Sequence, residues 1–283
     1  MLRIAIQSKG RLFEDCMSLL SEAGVKLSPS KRSLLVQASG FPLEVLYLRD
    51  DDIPQCVADG VADIGIVGLN EVEERGAVVD IARHLGFSTC RLSLAIPAAT
   101  VYEGKSWFEG KTIATSYPSI LSGWLAKEGV KANIHVISGS VEISPSVGLS
   151  DAICDIVSSG STLVTNHLKE VEVVLRSEAV LIAHPLISEK KKQELEELIF
   201  RMEAVQKAKD KKYVMMNVPD EALARILEML PSEKSPTVIP LATPGWHSVH
   251  TVISEERFWS LASTLKACGA DGILALDIEK VIL

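Results

Sequence analysis

The chain has 283 residues, of which 47% are hydrophobic, 23% charged and 5% aromatic, and its formal net charge is −8. This composition is typical of a globular protein with two or three domains, and the negative charge argues against a nucleic-acid partner, which requires a basic surface. No apolar run is long enough to span a membrane and the first segment lacks a signal-peptide core, so we expect a cytoplasmic protein without a membrane partner.

The N-terminal part of the chain alternates between predicted strands and predicted helices. The strands are short apolar runs, whereas the helices carry apolar residues at a spacing of three or four. Gly24 and Gly60 end two of the helices, and Pro54 marks the first turn of one. In chain order the elements are LRIAIQ (strand), GRLFEDCMSLLSEAGV (helix), PLEVLYLRD (strand), DDIPQCVADG (helix), VADIGIVG (strand) and LNEVEERG (helix). This alternation predicts an α/β fold.

A second unit of similar layout lies further along the chain. In each unit a proline-bearing helical stretch is followed by Gly-x-x-Asp, an apolar strand and a glycine turn. Gly60 and Asp63 of the first unit correspond to Gly148 and Asp151 of the second. This similarity predicts two α/β lobes, with RLSLAIP and AVLIAHP as the segments that cross between them. A cleft between two such lobes is the expected ligand site.

The C-terminal part of the chain predicts a separate module. A charged helix, SEKKKQELEELIFRMEAVQKAKDKK, ends in a lysine-rich run near residue 210. The segments after it follow the order βαββαβ, which is typical of a ferredoxin-like domain. We therefore expect an α/β protein with two periplasmic-binding-protein-like lobes around a cleft, followed by a ferredoxin-like domain. The expected bounds are 1–93 with 183–208 for the first lobe, 94–182 for the second lobe and 210–283 for the C-terminal domain.

The segment DAICDIVSSGSTL, from Asp151 to Leu163, joins an apolar run to a loop rich in hydroxyls. The apolar run fits a strand or a helix, and its shortness favours a strand that ends at Val157. The loop would then lie at the carboxyl edge of a sheet, where open α/β folds bind ligands. Its N–H groups, its hydroxyls and Gly160 predict an uncharged phosphate site, and Asp155 could accept hydrogen bonds from the diol of a ribose 5-phosphate. The alternative is an ordinary Ser/Gly-rich turn with a helix cap.

Basic residues follow two other predicted strands. Lys9, Gly10 and Arg11 lie between the first strand and the first helix, and Arg49 ends the next strand. Positive charge at such turns is well placed for a polyphosphate. The alternatives are a solvated basic turn and, for Arg49, a salt bridge to one of the acids after it. Tyr117 is a candidate to stack on a base, although a lone tyrosine is more often a packing residue.

The sequence contains no motif for covalent catalysis. It has no nucleophile elbow, P-loop, HExxH motif or Ser-His-Asp set, and GIVGLN lacks the full dinucleotide fingerprint. The five cysteines are dispersed without a CxxC pair, so neither a disulfide framework nor a zinc site is predicted. These observations favour a reaction that depends on positioning and charge stabilisation.

Several motifs occur together and in order along the chain. They are KGRL at Lys9–Leu12, RDDDIP at Arg49–Pro54, GVADIGIVGLN at Gly60–Asn70, ATSYP at Ala114–Pro118, GSVE at Gly139–Glu142 and GLSDAICDIVSSGSTL at Gly148–Leu163. Through these motifs nearly the whole chain resembles the ATP phosphoribosyltransferases, in the long form that carries a C-terminal regulatory domain. One departure is Ser8, where the family usually has a proline.

The resemblance implies the first reaction of histidine biosynthesis, in which ATP and phosphoribosyl pyrophosphate give N1-(5-phosphoribosyl)-ATP and pyrophosphate, with Mg²⁺ as cofactor. The residues implied as catalytic are Lys9, Arg11, Arg49 and Asp155. Those implied for binding phosphoribosyl pyrophosphate are Asp151, Asp155, Ser158, Ser159, Gly160, Ser161, Thr162 and Leu163. Those implied for ATP are Lys9, Gly10, Arg11, Arg49, Tyr117 and Glu142. Whether Mg²⁺ contacts a side chain is left open.

The resemblance also implies feedback inhibition by histidine and assembly into a homo-oligomer, a dimer or a hexamer. Asn217 and Thr237 are the effector candidates, and a purely oligomerising C-terminal domain is the alternative. For the whole chain the alternatives are a non-enzymatic two-lobed sensor of small anions and a different nucleotide-dependent transferase. Convergence of the three basic residues on the hydroxyl-rich loop favours the enzyme, because a sensor for a neutral solute does not need them.

Overall fold

A computed structural model describes residues 1–27, 33–230 and 235–282, and the chain divides into two compact units, Met1–Glu197 and Leu198–Leu283. The strands are β1 (Leu2–Gln7), β2 (Leu35–Gln37), β3 (Leu43–Leu48), β4 (Ile64–Gly68), β5 (Asp80–His84), β6 (Cys90–Pro97), β7 (Thr112–Thr115), β8 (Asn133–Val136), β9 (Ala152–Val157), β10 (Leu168–Ser177), β11 (Ala179–Ala183), β12 (Lys211–Pro219), β13 (Thr237–Pro240), β14 (Trp246–Ser254) and β15 (Asp271–Asp277). The helices are α1 (Arg11–Glu22), α2 (Ile53–Ala58), α3 (Leu69–Arg75), α4 (Pro118–Glu128), α5 (Ser161–Thr165), α6 (Glu189–Ala208), α7 (Asp220–Met229) and α8 (Glu255–Ala267). None of the helices in the described ranges is both long and apolar enough to cross a membrane.

The first sheet of the N-terminal unit has the strand order β2-β3-β1-β4-β11-β5. Strand β1 runs parallel to β3 and β4, the arrangement that strand–helix–strand connections produce. The central strands are buried, which explains their nearly continuous apolar runs. Helix α2 packs on β4 through Ile53 and Val57. Gly65 permits this contact, because a β-carbon there would lie 2.8 Å from Cγ2 of Ile53.

The second sheet has the strand order β10-β6-β9-β7-β8. Strand β7 is parallel to both β8 and β9, whereas β6 is antiparallel to β9 and β10. Its core is built around Phe108, which is fully buried and packs edge-on against Trp124 with the ring centroids 6.5 Å apart. Leu121 and Leu125 of α4 complete this layer. The two sheets confirm the predicted pair of α/β units.

The chain crosses between these sheets twice. It leaves the first sheet through residues 85–89, between β5 and β6, and returns at Glu178, between β10 and β11. RLSLAIP and AVLIAHP therefore contribute strands of the sheets, and each crossing lies just before them. The predicted helix around Pro145 is wrong. Only a short 3₁₀ turn, Val141–Ile143, forms there, because Pro145 has no N–H to donate to the Val141 carbonyl and therefore interrupts a helix that starts at Val141.

The C-terminal unit forms its own antiparallel sheet, with the order β13-β14-β12-β15. Helices α7 and α8 cover one face of this sheet, and alternate residues of β12 (Val214, Met216 and Val218) point into the core beneath them. This βαββαβ arrangement with central strands β12 and β14 confirms the predicted ferredoxin-like domain.

Candidate functional site

The basic residues predicted from sequence lie at the carboxyl edge of the first sheet. Gln7 at the end of β1 is opposite Leu48 at the end of β3, and the Ser8 N–H donates to the Leu48 carbonyl at 2.9 Å. The two chain segments that leave these neighbouring strands carry Lys9 and Arg49. The parallel register therefore brings both positive charges to the same edge.

The side chains at this edge are largely solvated. Lys9, Gly10 and Arg11 are exposed, and neither basic side chain forms an ion pair within the described ranges. Gly10 has φ +94°, a left-handed value that favours glycine at the start of α1. Arg49 is 78% exposed and lies 3.3 Å from a carboxylate oxygen of Asp51, the salt bridge that the sequence left as an alternative.

The hydroxyl-rich loop lies at the carboxyl edge of the second sheet. Residues Ala152–Val157 form strand β9, so the strand alternative for this segment is confirmed. Gly160 has φ +84° and turns the chain into α5. The N–H groups of Gly160, Thr162 and Leu163 donate no hydrogen bond to another residue of the described chain. The loop thus presents unpaired donors beside exposed hydroxyls.

Apolar side chains fix the loop from below. Leu163 of α5 is 6% exposed and packs in a cluster with Val157, Ile153 and Val141. The first turn of α5 therefore has a buried anchor, while its backbone N–H groups remain available to a ligand. Val141 also ties the segment that carries Glu142 to the same cluster.

Arg91 of β6 supports the loop from the neighbouring strand. Its Nη1 donates to the Ser158 carbonyl at 3.1 Å, and its Nε and Nη2 donate to the two oxygens of Glu170 at 2.5 Å each. The Ser93 hydroxyl donates to the same carboxylate at 2.7 Å. The hydrogen bond from Arg91 is the main reason why the pKa of Glu170 is lowered. The ion pair of Arg91 and Glu170 thus fixes the position of the Ser158 carbonyl at the start of the loop.

Asp155 lies near the carboxyl end of β9, two residues before its last residue, and is partly buried. Its Oδ1 accepts the N–H of Ile156 at 2.8 Å. Burial raises the pKa of its carboxyl, the Ile156 hydrogen bond opposes that rise, and the negative charge of Glu142 adds to it. A carboxylate that is costly to keep charged in the free protein is suited to accept hydrogen bonds from a ligand's hydroxyls.

The structure does not bring Asp151 to the loop. Asp151 directly precedes β9, so the whole strand, roughly 20 Å at its usual rise, separates it from Ser158. Its Oδ2 accepts the N–H of Thr112 at 2.9 Å and its Oδ1 lies 3.7 Å from Nζ of Lys111. Asp151 is exposed, because it lies ahead of the buried part of the strand.

Tyr117 joins the edges of the two sheets. It follows β7 of the second sheet, and its hydroxyl donates at 3.0 Å to Glu71, which lies in α3 after β4 of the first sheet. Burial raises the pKa of Tyr117, and the charges of Glu71, Asp155 and Asp50 raise it further. These charges act on one phenol, so Asp155 and the segment after Arg49 lie around the same junction. Part of the ring packs on the core of the second sheet.

The two effector candidates lie in the C-terminal unit. Asn217 is opposite Ser248 and Thr237 is opposite His250, two residues further along β14. Both candidates therefore share the face of the sheet that α7 and α8 leave uncovered. His250 bonds the Tyr213 hydroxyl at 2.7 Å on that face.

Sequence reasoning missed several residues that hold this site together. Glu71 was assigned only to a helix, yet it is 7% exposed and bonded to Tyr117. Arg91 was assigned only to a crossover strand. Glu71 and Glu74, three apart on one face of a helix, gave a weak local signal, whereas nothing near Arg91 in the sequence indicates Ser158 as its partner.

Comparison with known families and proteins gives a consistent result along the chain. Residues 49–204 match the HisG family model, described as ATP phosphoribosyltransferase, and residues 208–280 match the model of the HisG C-terminal domain. A protein of Phocaeicola vulgatus named ATP phosphoribosyltransferase is 64% identical over 283 residues, which cover all of both chains. A protein of the same name from Cytophaga hutchinsonii is 56% identical over 281 residues, covering 99% of this chain and 98% of its own.

Solved structures agree with these matches. An ATP phosphoribosyl transferase (HisG:HisZ) complex from Thermotoga maritima contains a chain with a TM-score of 0.63 and 28% identity, covering 72% of this chain and 96% of that one. A putative L-cystine ABC transporter protein from Listeria monocytogenes has a TM-score of 0.50 at 14% identity, covering 73% of this chain and 91% of its own, and supports the periplasmic-binding-protein-like fold alone. On the strength of its sequence matches over the full length, the chain belongs to the ATP phosphoribosyltransferase family, the transferases of histidine biosynthesis.

Proposed function

We propose that the protein condenses ATP with phosphoribosyl pyrophosphate to N1-(5-phosphoribosyl)-ATP and pyrophosphate. The observation that carries the proposal is the sequence of groups at the end of β9. A partly buried carboxylate, Asp155, lies near the end of β9, just before a loop with exposed hydroxyls. In this loop the N–H groups of Gly160, Thr162 and Leu163 donate no hydrogen bond to another residue of the described chain. A ribose 5-phosphate has a diol and a phosphate in matching order.

The phosphoribosyl donor is proposed to bind along this segment. Asp155 accepts hydrogen bonds from the ribose 2- and 3-hydroxyls, and the loop donates to the 5-phosphate. Helix α5 has only five residues, so individual N–H groups rather than a long helix dipole bind the phosphate. We do not include Asp151, because its place ahead of β9 keeps it from the loop. The proposed phosphate contacts are Ser158, Ser159, Gly160, Ser161, Thr162 and the N–H of Leu163.

ATP and the leaving pyrophosphate are assigned to the facing edges. Lys9, Arg11 and Arg49 neutralise phosphate charge at the first sheet, and the left-handed Gly10 lets the backbone approach. The ring of Tyr117 lies at the junction of the two sheets, where an adenine could stack on it. Glu142 lies close enough to act on the pKa of Asp155 and is proposed as a ribose contact.

The reaction is a substitution at the anomeric carbon. Positive charge develops on the ribose ring while negative charge develops on the departing pyrophosphate, and the basic residues stabilise the latter. Adenine N1 is a nucleophile at neutral pH, so orientation suffices and no side chain has to remove a proton from it. When it holds the diol, the carboxylate of Asp155 is proposed to lie near the ribose ring, where its negative charge stabilises the developing positive charge.

Mg²⁺ is proposed to arrive with the substrates' phosphates. The described part of the chain contains no cluster of three or more His, Cys, Asp or Glu side chains suited to a metal ion. A site with one or two carboxylates fits Mg²⁺, which commonly binds proteins through that number and takes its remaining ligands from phosphates and water. Glu142 and Asp155 are the carboxylates at hand. When bound, the ion neutralises the charge on the leaving group.

Four broader expectations remain proposals. The lobe bounds 1–93 with 183–208 and 94–182, and the domain 210–283, stay proposed; the separate sheets support two lobes and a C-terminal domain, with the crossings between the first two sheets at residues 85–89 and Glu178. Histidine is proposed as an inhibitor that binds the uncovered face of the C-terminal sheet near Asn217 and Thr237. A homo-oligomer is supported by exposed apolar side chains on that face, Leu274 and Leu276. A cytoplasmic location is proposed from the biosynthetic family.

An assay of pyrophosphate release tests the proposal. ATP and phosphoribosyl pyrophosphate are varied separately in the presence of Mg²⁺, and product is identified by its mass. Release that requires both substrates supports the assignment. Release with phosphoribosyl pyrophosphate and a different base acceptor would indicate another transferase, and tight binding without turnover would indicate the two-lobed sensor.

A further inference from the structure

Helix α3 of the first sheet caps a helix of the second sheet. The two oxygens of Glu74 accept the N–H groups of Ser119 and Ile120, each at 3.0 Å. These groups belong to the first turn of α4, where the N–H groups have no partner within the helix. The side chain of Tyr117, the N-cap residue, accepts no hydrogen bond from these N–H groups. The carboxylate of Glu74, from the other lobe, therefore caps the N-terminus of α4 and lies at the positive end of its helix dipole.

A second carboxylate of the same helix holds the residue before α4. Oε1 of Glu71 accepts from the Tyr117 hydroxyl at 3.0 Å and from Nδ2 of Asn70 at 2.9 Å. Glu71 is 7% exposed, and a carboxylate buried to this extent is stable only when its oxygens are bonded. The buried hydrogen bond between Glu71 and Tyr117 therefore fixes the position of the phenol.

The base of α3 is tied to the point where the chain returns to the first sheet. The Ser177 hydroxyl donates to Oδ1 of Asn70 at 2.8 Å and accepts the Asn70 N–H at 3.0 Å. Ser177 immediately precedes the crossing at Glu178. Gly68 makes room for this arrangement, because a β-carbon there would clash with Oδ1 of Asn70. Helix α3 is therefore anchored at the crossing and reaches across to α4.

We propose that Glu71 and Glu74, here called the α3 clasp, are positioning residues that hold the two lobes together and set the place of Tyr117 for ATP. The role in ATP binding rests on the proposed function, whereas the clasp itself does not. The hydroxyl-rich loop belongs to the second sheet alone, so the clasp affects ATP and leaves the phosphoribosyl donor largely unaffected. Loss of the clasp therefore predicts a selective rise in KM for ATP.

Hydrogen exchange tests the clasp without reference to activity. Glu74→Ala removes both acceptors from the Ser119 and Ile120 amides, and their exchange is expected to accelerate roughly tenfold or more, since a hydrogen bond to a charged group is lost. Glu73→Ala is the matched control, because Glu73 lies on the same helix and is exposed. Equal exchange of these amides in the two variants would overturn the clasp.

Kinetics test the positioning role. Glu71→Gln and Tyr117→Phe each remove the charged hydrogen bond, and each is expected to raise KM for ATP roughly tenfold, with less than about a twofold change in KM for the donor. The double variant is expected to be no worse than either single one, because both remove the same contact. Additive effects, or equal rises in both KM values, would refute the role. If Glu71→Gln fails to fold, Tyr117→Phe alone tests the selective rise.

The two arms separate this inference from the proposed function. If the wild-type protein releases no pyrophosphate from the two substrates, the proposed function fails and the exchange experiment still decides the clasp. If the wild-type protein is active and exchange at α4 responds only to Glu74→Ala, but KM for ATP does not move, the clasp is structural and the positioning role is wrong.

Discussion

Replacing Asp155 with asparagine is expected to lower activity while raising stability. The amide keeps one neutral acceptor but loses the charge and the second acceptor that the proposed diol contact requires. Hydrogen bonds to a charged group contribute about 1.5–3 kcal/mol each and neutral ones about 0.5–1.5 kcal/mol. Replacing two charged contacts with one neutral contact costs about 2–5 kcal/mol. The value of kcat/KM for the donor should therefore decrease by a factor between about 30 and a few thousand.

The stability of the same variant should change in the opposite direction. The pKa of Asp155 is raised by burial above 3.8, its ordinary value. A raised carboxyl pKa favours the folded state below that ordinary value, and the contribution is lost as pH rises through the folded pKa. At pH 7–8 the wild-type protein therefore carries a buried charge that the variant lacks, and the variant's Tm should be higher. The difference should shrink as the pH approaches 3.8.

Steady-state kinetics and thermal unfolding over this pH range check both parts. Asp151→Asn is the matched comparison, since Asp151 precedes the same strand and is exposed. It should retain donor kinetics close to wild type. A folded Asp155→Asn variant with near-normal kcat/KM would refute the assignment of the diol, and a Tm below wild type at pH 8 would refute the account of its buried charge.

Three further substitutions probe the loop. Arg91→Lys cannot bond both Glu170 oxygens and the Ser158 carbonyl together, so KM for the donor should rise roughly tenfold with a small change in KM for ATP; equal changes in both, by steady-state kinetics, would contradict this. In Gly160→Ala the added β-carbon meets only Cγ1 of a neighbouring valine, at 3.9 Å, but the residue must keep φ near +84°. This left-handed conformation should cost about 1–2 kcal/mol in the loop and raise the donor dissociation constant, measured by calorimetry. Unchanged binding would show that this conformation is not needed. Leu163→Ala should lower the free energy of unfolding in denaturant by about 2–5 kcal/mol, because it empties a buried site, and a loss under 1 kcal/mol, about that of a surface change, would contradict the buried anchor.

Local sequence patterns predicted the elements that present the site. The apolar run before Val157 and the hydroxyls after it are adjacent in the chain, so a strand and the loop at its end follow from composition and spacing. The βαββαβ order of the C-terminal domain likewise follows from patterns in consecutive segments of the sequence. These features depend on neighbours in the sequence, and the structure confirms them.

Contacts between distant segments could not be predicted in the same way. Glu74 meets the α4 amides 45 residues later, and Arg91 meets the Ser158 carbonyl 67 residues later. Neither pair has a local pattern, since each partner is a backbone group that every residue possesses. Asp151, which precedes β9, and Asp155, which lies within it, illustrate a related limit. The resemblance implied both for the phosphoribosyl donor, but position along the strand decides which one reaches the ligand edge.

A crystal structure of the protein with phosphoribosyl pyrophosphate bound would test the central claim most directly. The account predicts the 5-phosphate within hydrogen-bond distance of the N–H groups of Gly160, Thr162 and Leu163, with the ribose diol on the Asp155 carboxylate. A donor bound elsewhere in the protein, with this loop empty, would contradict it.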